Sequence, residues 1–393
     1  MGVLNLTPDS FYDGGKYKND KDVLLEVEKM LVEGATFIDI GGQSTRPGSS
    51  LVDENDELRR VLPKLEIIFG EFADINISID TFYPRVAKET LEMGVGIIND
   101  ISGDNVGKRL RPILLLLSSE IFSGYVKPAL DASLALEIFH NFTLVHDDMM
   151  DNAPLRRGKE TVYKKWGVNV AILSGDMMSI LAYQLFEKYD LELSTRLLAD
   201  FSKMGIEICE GQQMDMDFET LHEVPYTHYL EMIRKKTAIM PAMAMKMGAM
   251  IGKNQTGETE QMAYDFGLNI GMAFQLQDDY LDVFGHKIQT GKLVGGDILA
   301  NKKTALYIRA LDNLDDLSRG ELKSLYASSS SKYSLKVEKV IDLYEKSNAK
   351  ALVKDDIDKY TRNAYNILEQ LDIEEDKKKI FYKLGRSLVS RQK

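Results

Sequence analysis

Phe142-Thr143-Leu144-Val145-His146-Asp147-Asp148-Met149-Met150-Asp151 ends an apolar run in three carboxylates, and the same spacing returns in Phe274-Gln275-Leu276-Gln277-Asp278-Asp279-Tyr280-Leu281-Asp282. On a helix the i and i+4 side chains share a face and the i+1 side chain lies beside them. Each cluster therefore aims its acidic oxygens in roughly one direction. Such carboxylates, set in apolar sequence that reads as the lining of an interior, are costly unless a divalent cation and substrate phosphates compensate them.

Working outward, residues from Pro112 onward read as helix after helix, with apolar periodicity and short connections. The first hundred residues follow another pattern. Val3–Leu6, Phe37–Ile40, Ile77–Asp80 and Gly96–Asn99 read as strands, separated by helical stretches over about 21–34, 57–72 and 83–93. That alternation predicts a parallel sheet with ligand-facing polar residues at the strand ends. The change of pattern is abrupt at Ile101-Ser102-Gly103-Asp104-Asn105-Val106, which has no linker composition.

The 393 residues allow two or three cores, and a net charge of −12 argues against a nucleic-acid partner held through phosphates. One cysteine, Cys209, rules out an internal disulfide framework, fits the cytoplasm, and reads as a small buried hydrophobe. The longest apolar run, Ile113–Leu117, is far short of the ~20 residues of a transmembrane segment, and no leader pattern follows Met1. The methionine-rich stretch Met240–Met247 reads as adaptable core. His146 reads as a hydrogen-bonded structural residue, His222, His228 and His286 as surface or satisfied residues, and Ser328–Ser331 as an exposed loop.

Taken in order, Gly107-Lys108-Arg109-Leu110-Arg111-Pro112, Asp147–Asp151, Leu155-Arg156-Arg157-Gly158, Lys236-Thr237, Phe274–Asp279, Gly295-Gly296-Asp297 and Asn301-Lys302-Lys303-Thr304 resemble the motifs of the trans-isoprenyl diphosphate synthases. The resemblance covers about residues 105–393 and implies an all-α isoprenoid-synthase bundle that condenses isopentenyl diphosphate with an allylic diphosphate. It implies Mg²⁺ held by Asp147, Asp148 and Asp151 on one side and by Asp278, Asp279 and Asp282 on the other. Arg156, Lys236 and Lys302 would add positive charge around the allylic diphosphate. Lys108, Arg111, His140 and Arg157 would hold isopentenyl diphosphate, each charge-assisted bond contributing roughly 1.5–3 kcal/mol. Thr237 and Gln275 would orient the substrate near the developing cation, and Phe274 could stabilise it through its ring face. Gln212 and Asp215 would support the site. Phe142, five residues before Asp147, would floor the hydrocarbon pocket and give a farnesyl or geranylgeranyl product. The resemblance further implies a homodimer.

Residues 1–103 resemble the front half of dihydropteroate synthase, a TIM-barrel enzyme of folate biosynthesis, through Met1–Phe11, Asp39–Gly48, Ser78-Ile79-Asp80-Thr81 and Asn99-Asp100-Ile101-Ser102. Asn5, Arg46, Asp80 and Asn99 match its ligand site. With four of eight strands, the segment is expected to be a partial barrel with vestigial residues, inactive unless a second chain completes it. The expected architecture is therefore a partial (β/α) segment over 1–103 and an all-α domain over 104–393, a hybrid of two trimmed sequences. The alternatives are dihydropteroate synthase or a bifunctional fusion, an inactive hybrid, and a terpene cyclase. The cyclase would not need the second aspartate cluster or the residues set aside for isopentenyl diphosphate.

Overall fold

The computed structural model describes residues 2–6, 19–42, 52–72, 75–81, 83–99, 110–156, 159–252, 257–285, 295–327 and 333–390. Two compact units emerge, Met1–Lys108 with Leu155–Lys159, and Arg109–Pro154 with Glu160–Lys393.

In the first unit, β1 (Gly2–Asn5), β2 (Ile38–Gly41), β3 (Ile77–Asp80) and β4 (Ile97–Asn99) form a parallel sheet in the order β1-β2-β3-β4. Helices α1 (Asp20–Val32), α2 (Glu54–Glu71) and α3 (Pro84–Glu92) connect them. Capping sets the helix starts: Asn19 accepts from the Asp22 amide at 3.0 Å, and Asp53 accepts from the Asn55 and Asp56 amides at 2.8 and 3.1 Å. Leu4, Ile38, Ile40, Ile77 and Ile79 are buried in one core with Val23, Val27, Val61, Leu65 and Ile68. The strands and helices fall where the alternation places them. Among the described residues the sheet is open, with four strands and no closed barrel.

The second unit is helical. Its main elements are α4 (Leu110–Ser123), α5 (Leu130–Met150), α6 (Val162–Trp166), α7 (Val168–Gln184), α8 (Leu191–Thr220), α9 (Tyr226–Ile233), α10 (Ile239–Ile251) and α11 (Gly257–Phe284), followed by helices through Ser390. Helix α10 is the central post. All its residues are buried except Lys246, whose ammonium pairs with Asp200 at 2.8 Å, so the methionine stripe is core packing. Gly248 lets α4 approach: a Cβ there would meet the Leu115 carbonyl oxygen at 2.4 Å. Two departures from the sequence reading stand out. Strand pairing does return after residue 103, in Leu155–Arg156 and Lys159–Glu160. Cys209 is exposed, because its position on α8 faces away from the core that Met204 and Ile208 enter.

One described helical stretch, Val168–Lys188, is long and apolar enough by length and composition to cross a membrane. Only 17% of its apolar window is buried, and Val170, Leu173, Met177 and Ile180 form an exposed stripe at helical spacing. A search for uninterrupted apolar runs misses it, because Asn169, Ser174, Gly175, Asp176 and Ser179 break the run.

Candidate functional site

Helix α5 delivers the first acidic cluster at its C-terminal end. Asp148 is buried, and Asp147 faces the Lys236 ammonium at 3.4 Å. The same ammonium donates to Asp215 of α8 at 2.6 Å. Burial pulls the Lys236 pKa down, but Asp215, Asp147 and Asp151 together hold it above the usual lysine value. Asp151 is raised, first by desolvation and then by Asp147, with Lys236 and Lys302 opposing.

Lys236 and Thr237 sit in a π-helical turn, Arg234–Ala238, that links α9 to α10. Its position depends on Gly211 of α8, where a Cβ would lie 2.5 Å from the Lys236 backbone nitrogen. Arg234 bonds to Glu207 at 2.7 Å and to Glu231 at 2.8 and 2.9 Å, and Lys235 to Glu210 at 2.7 Å. Both neighbouring cations are tied outward, and Lys236 is the one turned to the aspartates. A π turn at such a junction is a common mark of a functional site. No local residue pattern announces it.

The second cluster, on α11, is built differently. Asp279 is buried, and its carboxylate accepts from the Tyr229 hydroxyl, from the Ala305 backbone N–H at 3.2 Å and from Gln275 Nε2 at 3.1 Å. Desolvation pushes its pKa to about 7 in spite of these donors. Gln275 is therefore bonded to Asp279, and the structure shows its amide turned to the protein. Asp282 accepts from the Asp297 backbone N–H at 2.9 Å and so caps the short helix Gly296–Leu299. Asp278 is half-buried one residue before Asp279.

The segment between residues 295 and 305 connects the clusters. Its first end is tied to Asp282 and its last to Asp279, while Lys302 exerts its charge on Asp151. Lys303 is spent elsewhere, donating to the Phe218, Glu219 and Leu221 carbonyls at 2.6, 3.1 and 2.5 Å, where it caps α8. Arg111 of α4 and His140 of α5 also meet, Nη1 to Nε2 at 3.0 Å. Lys108, Arg157 and Arg46 lie outside the described residues, as do His286 and Ser328–Ser331. Arg156 lies on the two-residue strand assigned to the first unit.

An oxygen-only donor set, partly buried and faced by lysines, suits a hard divalent cation together with anionic oxygens. Among the described residues no three His, Cys, Asp or Glu side chains close on a single point as a ready-made metal cage. The donors fit a cation that completes its shell with diphosphate oxygens and water.

In the first unit, the strand register aligns Asn5 with Gly41, Gly41 with Asp80, and Asp80 with Asn99, across the C-terminal ends of the four strands. His146 Nε2 lies 3.3 Å from the Ile172 carbonyl oxygen, and Gly175 makes room for its ring. His222 and His228 are exposed.

Comparison with known proteins finds two families, whose matches overlap at residues 96–116. The polyprenyl synthetase family matches residues 96–344, and the pterin binding enzyme family matches residues 1–116. A geranylgeranyl diphosphate synthase of Methanosarcina mazei is 37% identical over 252 residues, covering 63% of this chain and 76% of that one. A crystal structure of a geranylgeranyl pyrophosphate synthase is 44% identical with a TM-score of 0.70, covering 74% of this chain and 89% of the other. The Corynebacterium glutamicum geranylgeranyl pyrophosphate synthase, solved with isoprenyl diphosphate and magnesium, is 25% identical with a TM-score of 0.66, covering 73% and 88%.

Proposed function

The chain belongs to the polyprenyl synthetase family, and from that premise we propose that it is a Mg²⁺-dependent prenyltransferase making a short-chain product of farnesyl or geranylgeranyl length. It is a transferase that elongates an allylic diphosphate with isopentenyl diphosphate. One observation carries the reading of the site: α9 and its π turn touch both acidic clusters, through Lys236 on Asp147 and Tyr229 on Asp279.

In this proposal Asp147, Asp148 and Asp151 on one side and Asp278 with Asp282 from the second cluster on the other would hold Mg²⁺, which when bound would neutralise the charge developing on the departing diphosphate. Lys236 and Lys302 place positive charge beside the allylic diphosphate, with Arg156 assigned to the same group by resemblance. Arg111 and His140, with Lys108 and Arg157, bind isopentenyl diphosphate. Thr237, beside Lys236 on the π turn, is assigned to orient the substrate near the developing cation. Departure of diphosphate leaves an allylic cation, the isopentenyl double bond attacks it, and the released diphosphate takes the proton. Phe142 floors the pocket, supported by its position before Asp147 and by the edge-on rings of Phe139 at 5.1 Å and His146 at 4.8 Å that fix it.

The exposed α7 stripe is the face proposed to bury against a second copy. A bilayer is the poorer occupant, since Asp176 stands mid-helix with its carboxylate exposed and charge at membrane depth is costly. Residues 1–103 are read as the first half of a (β/α)₈ barrel, supported by the sequential parallel sheet and the pterin-binding match. Asn5, Asp80 and Asn99 then stand as vestiges at the ends of their strands, and dihydropteroate synthesis is not proposed. A single cysteine accords with the cytoplasm as its compartment.

The test is incubation of the full chain with Mg²⁺, isopentenyl diphosphate and geranyl diphosphate, followed by chromatography of the dephosphorylated products. A farnesyl or geranylgeranyl alcohol is expected. A folded sample that yields neither overturns the proposal.

A further inference from the structure

The Asp279 carboxylate is held by donors of the protein itself on both oxygens. One oxygen accepts from the Tyr229 hydroxyl and from the Ala305 backbone N–H at 3.2 Å, and the other from Gln275 Nε2 at 3.1 Å. A carboxylate offers about four acceptor positions, and three are filled by the protein itself. The group is 4% exposed.

The three donors come from three segments with distinct duties in the proposed reaction. Tyr229 belongs to α9, which runs straight into the turn bearing Lys236 and Thr237. Gln275 lies one turn back on α11, beside Asp278. Ala305 opens a helix immediately after Lys302, Lys303 and Thr304. The Tyr229 ring is in turn held by Tyr226, stacked at 6.2 Å with the planes 21° apart. Tyr226 donates to Asp356 at 2.7 Å, and the Arg309 guanidinium lies 3.7 Å over its ring while bonding the same carboxylate at 2.7 Å. A buried network satisfied in this way fixes one arrangement of its members.

We propose that Asp279 is a positioning hub and not a cation ligand: through Tyr229, Gln275 and Ala305 it sets the spacing of the Lys236 turn, the second acidic cluster and the Lys302 segment. The cation then falls to Asp278 and Asp282 from this helix. Tyr229 is a positioning residue of the same device. This inference rests on the prenyltransferase reading for what those segments do, but its core is the geometry of the hub.

The experiment compares the full chain with Asp279→Asn, Asp279→Ala, Tyr229→Phe and Asp147→Asn. Mn²⁺ binding is followed by electron paramagnetic resonance in the presence of an unreactive thiodiphosphate analogue of the allylic substrate. Asparagine keeps an oxygen for Tyr229 and Ala305, and its amide can serve a flipped Gln275. Asp279→Asn is therefore expected to bind as many Mn²⁺ ions as the unsubstituted chain and to retain kcat within about 10-fold, whereas Asp279→Ala loses about 100-fold, the scale of a roughly 1 Å misplacement. Tyr229→Phe should lower kcat about 10-fold, leave KM for isopentenyl diphosphate unchanged, and lower the unfolding temperature of the metal-free chain. Loss of bound Mn²⁺ in Asp279→Asn, as expected for Asp147→Asn, overturns the hub. So does a Tyr229→Phe chain whose kcat and metal-free unfolding temperature are both unchanged. An unsubstituted chain that binds no Mn²⁺ with the analogue instead overturns the prenyltransferase reading, and the metal-free unfolding temperatures of the Tyr229 and Asp279 variants then decide the hub by themselves.

Discussion

The Lys236 ammonium lies nearer to Asp215, at 2.6 Å, than to Asp147, at 3.4 Å. Asp215 therefore holds the lysine in place while leaving it within reach of an anion seated at the first cluster. Removing the Asp215 charge should let the side chain sample other rotamers without emptying the site. Asp215→Asn is expected to lower kcat about 10-fold and Lys236→Ala about 100-fold or more, the range found for removing a group that meets developing charge. Steady-state kinetics with geranyl diphosphate would check it, and an Asp215→Asn chain as impaired as Lys236→Ala would assign Asp215 a larger part.

Phe142 is clamped between the rings of Phe139 and His146, so the floor it offers to a growing hydrocarbon is stiff. Phe142→Ala should open the space of one aromatic ring and shift the product distribution toward longer chains by one or more isoprene units. Chromatography of the dephosphorylated products reads this directly. An unchanged product removes Phe142 from the role.

Much of this arrangement was legible before the structure. The βα alternation located all four strands, because period-2 apolar runs bounded by polar ends carry their own signal. The Asp-Asp-x-x-Asp spacing likewise identified α5 and α11 as the helices that carry acids inward. The π turn at Arg234–Ala238 was not legible, since it depends on α8 approaching at Gly211, a contact between segments more than twenty residues apart. Tyr229 carries no sequence signal for a related reason: its meaning lies in a bond to Asp279, fifty residues away. Asp282 and Gln275 carry functional assignments from their motifs, yet in the folded chain Asp282 accepts from the Asp297 amide and Gln275 donates to Asp279. A motif records residue type and spacing, and tertiary contacts decide which lone pair is left for a ligand.

The α7 stripe makes a separate prediction. Leu173 and Ile180 are each 68% exposed, a large apolar area for a chain that works alone. A Leu173→Glu, Ile180→Glu chain should elute as a monomer in size-exclusion chromatography with light scattering, while the unsubstituted chain elutes as a dimer. An unsubstituted chain that is already monomeric would discard the proposed interface.

Glu260 offers a test of scaffold stability away from the chemistry. It is 4% exposed on α11, and Arg196 of α8 donates to both its oxygens from one nitrogen, at 2.6 and 2.7 Å. Removing the partner leaves a carboxylate that is buried but uncompensated, and that is the costly half of an ion pair. Arg196→Met is expected to destabilise the helical unit by about 2 kcal/mol, lower than for a fully buried pair because Arg196 is itself half-exposed. Replacing both partners, as Arg196→Met with Glu260→Leu, should recover most of that loss, since the two apolar side chains can then pack where the charges stood. Urea unfolding followed by far-UV circular dichroism would measure both. A double variant no more stable than the single one would mean that the pair fixes the packing of α8 on α11 in a way apolar volume cannot replace.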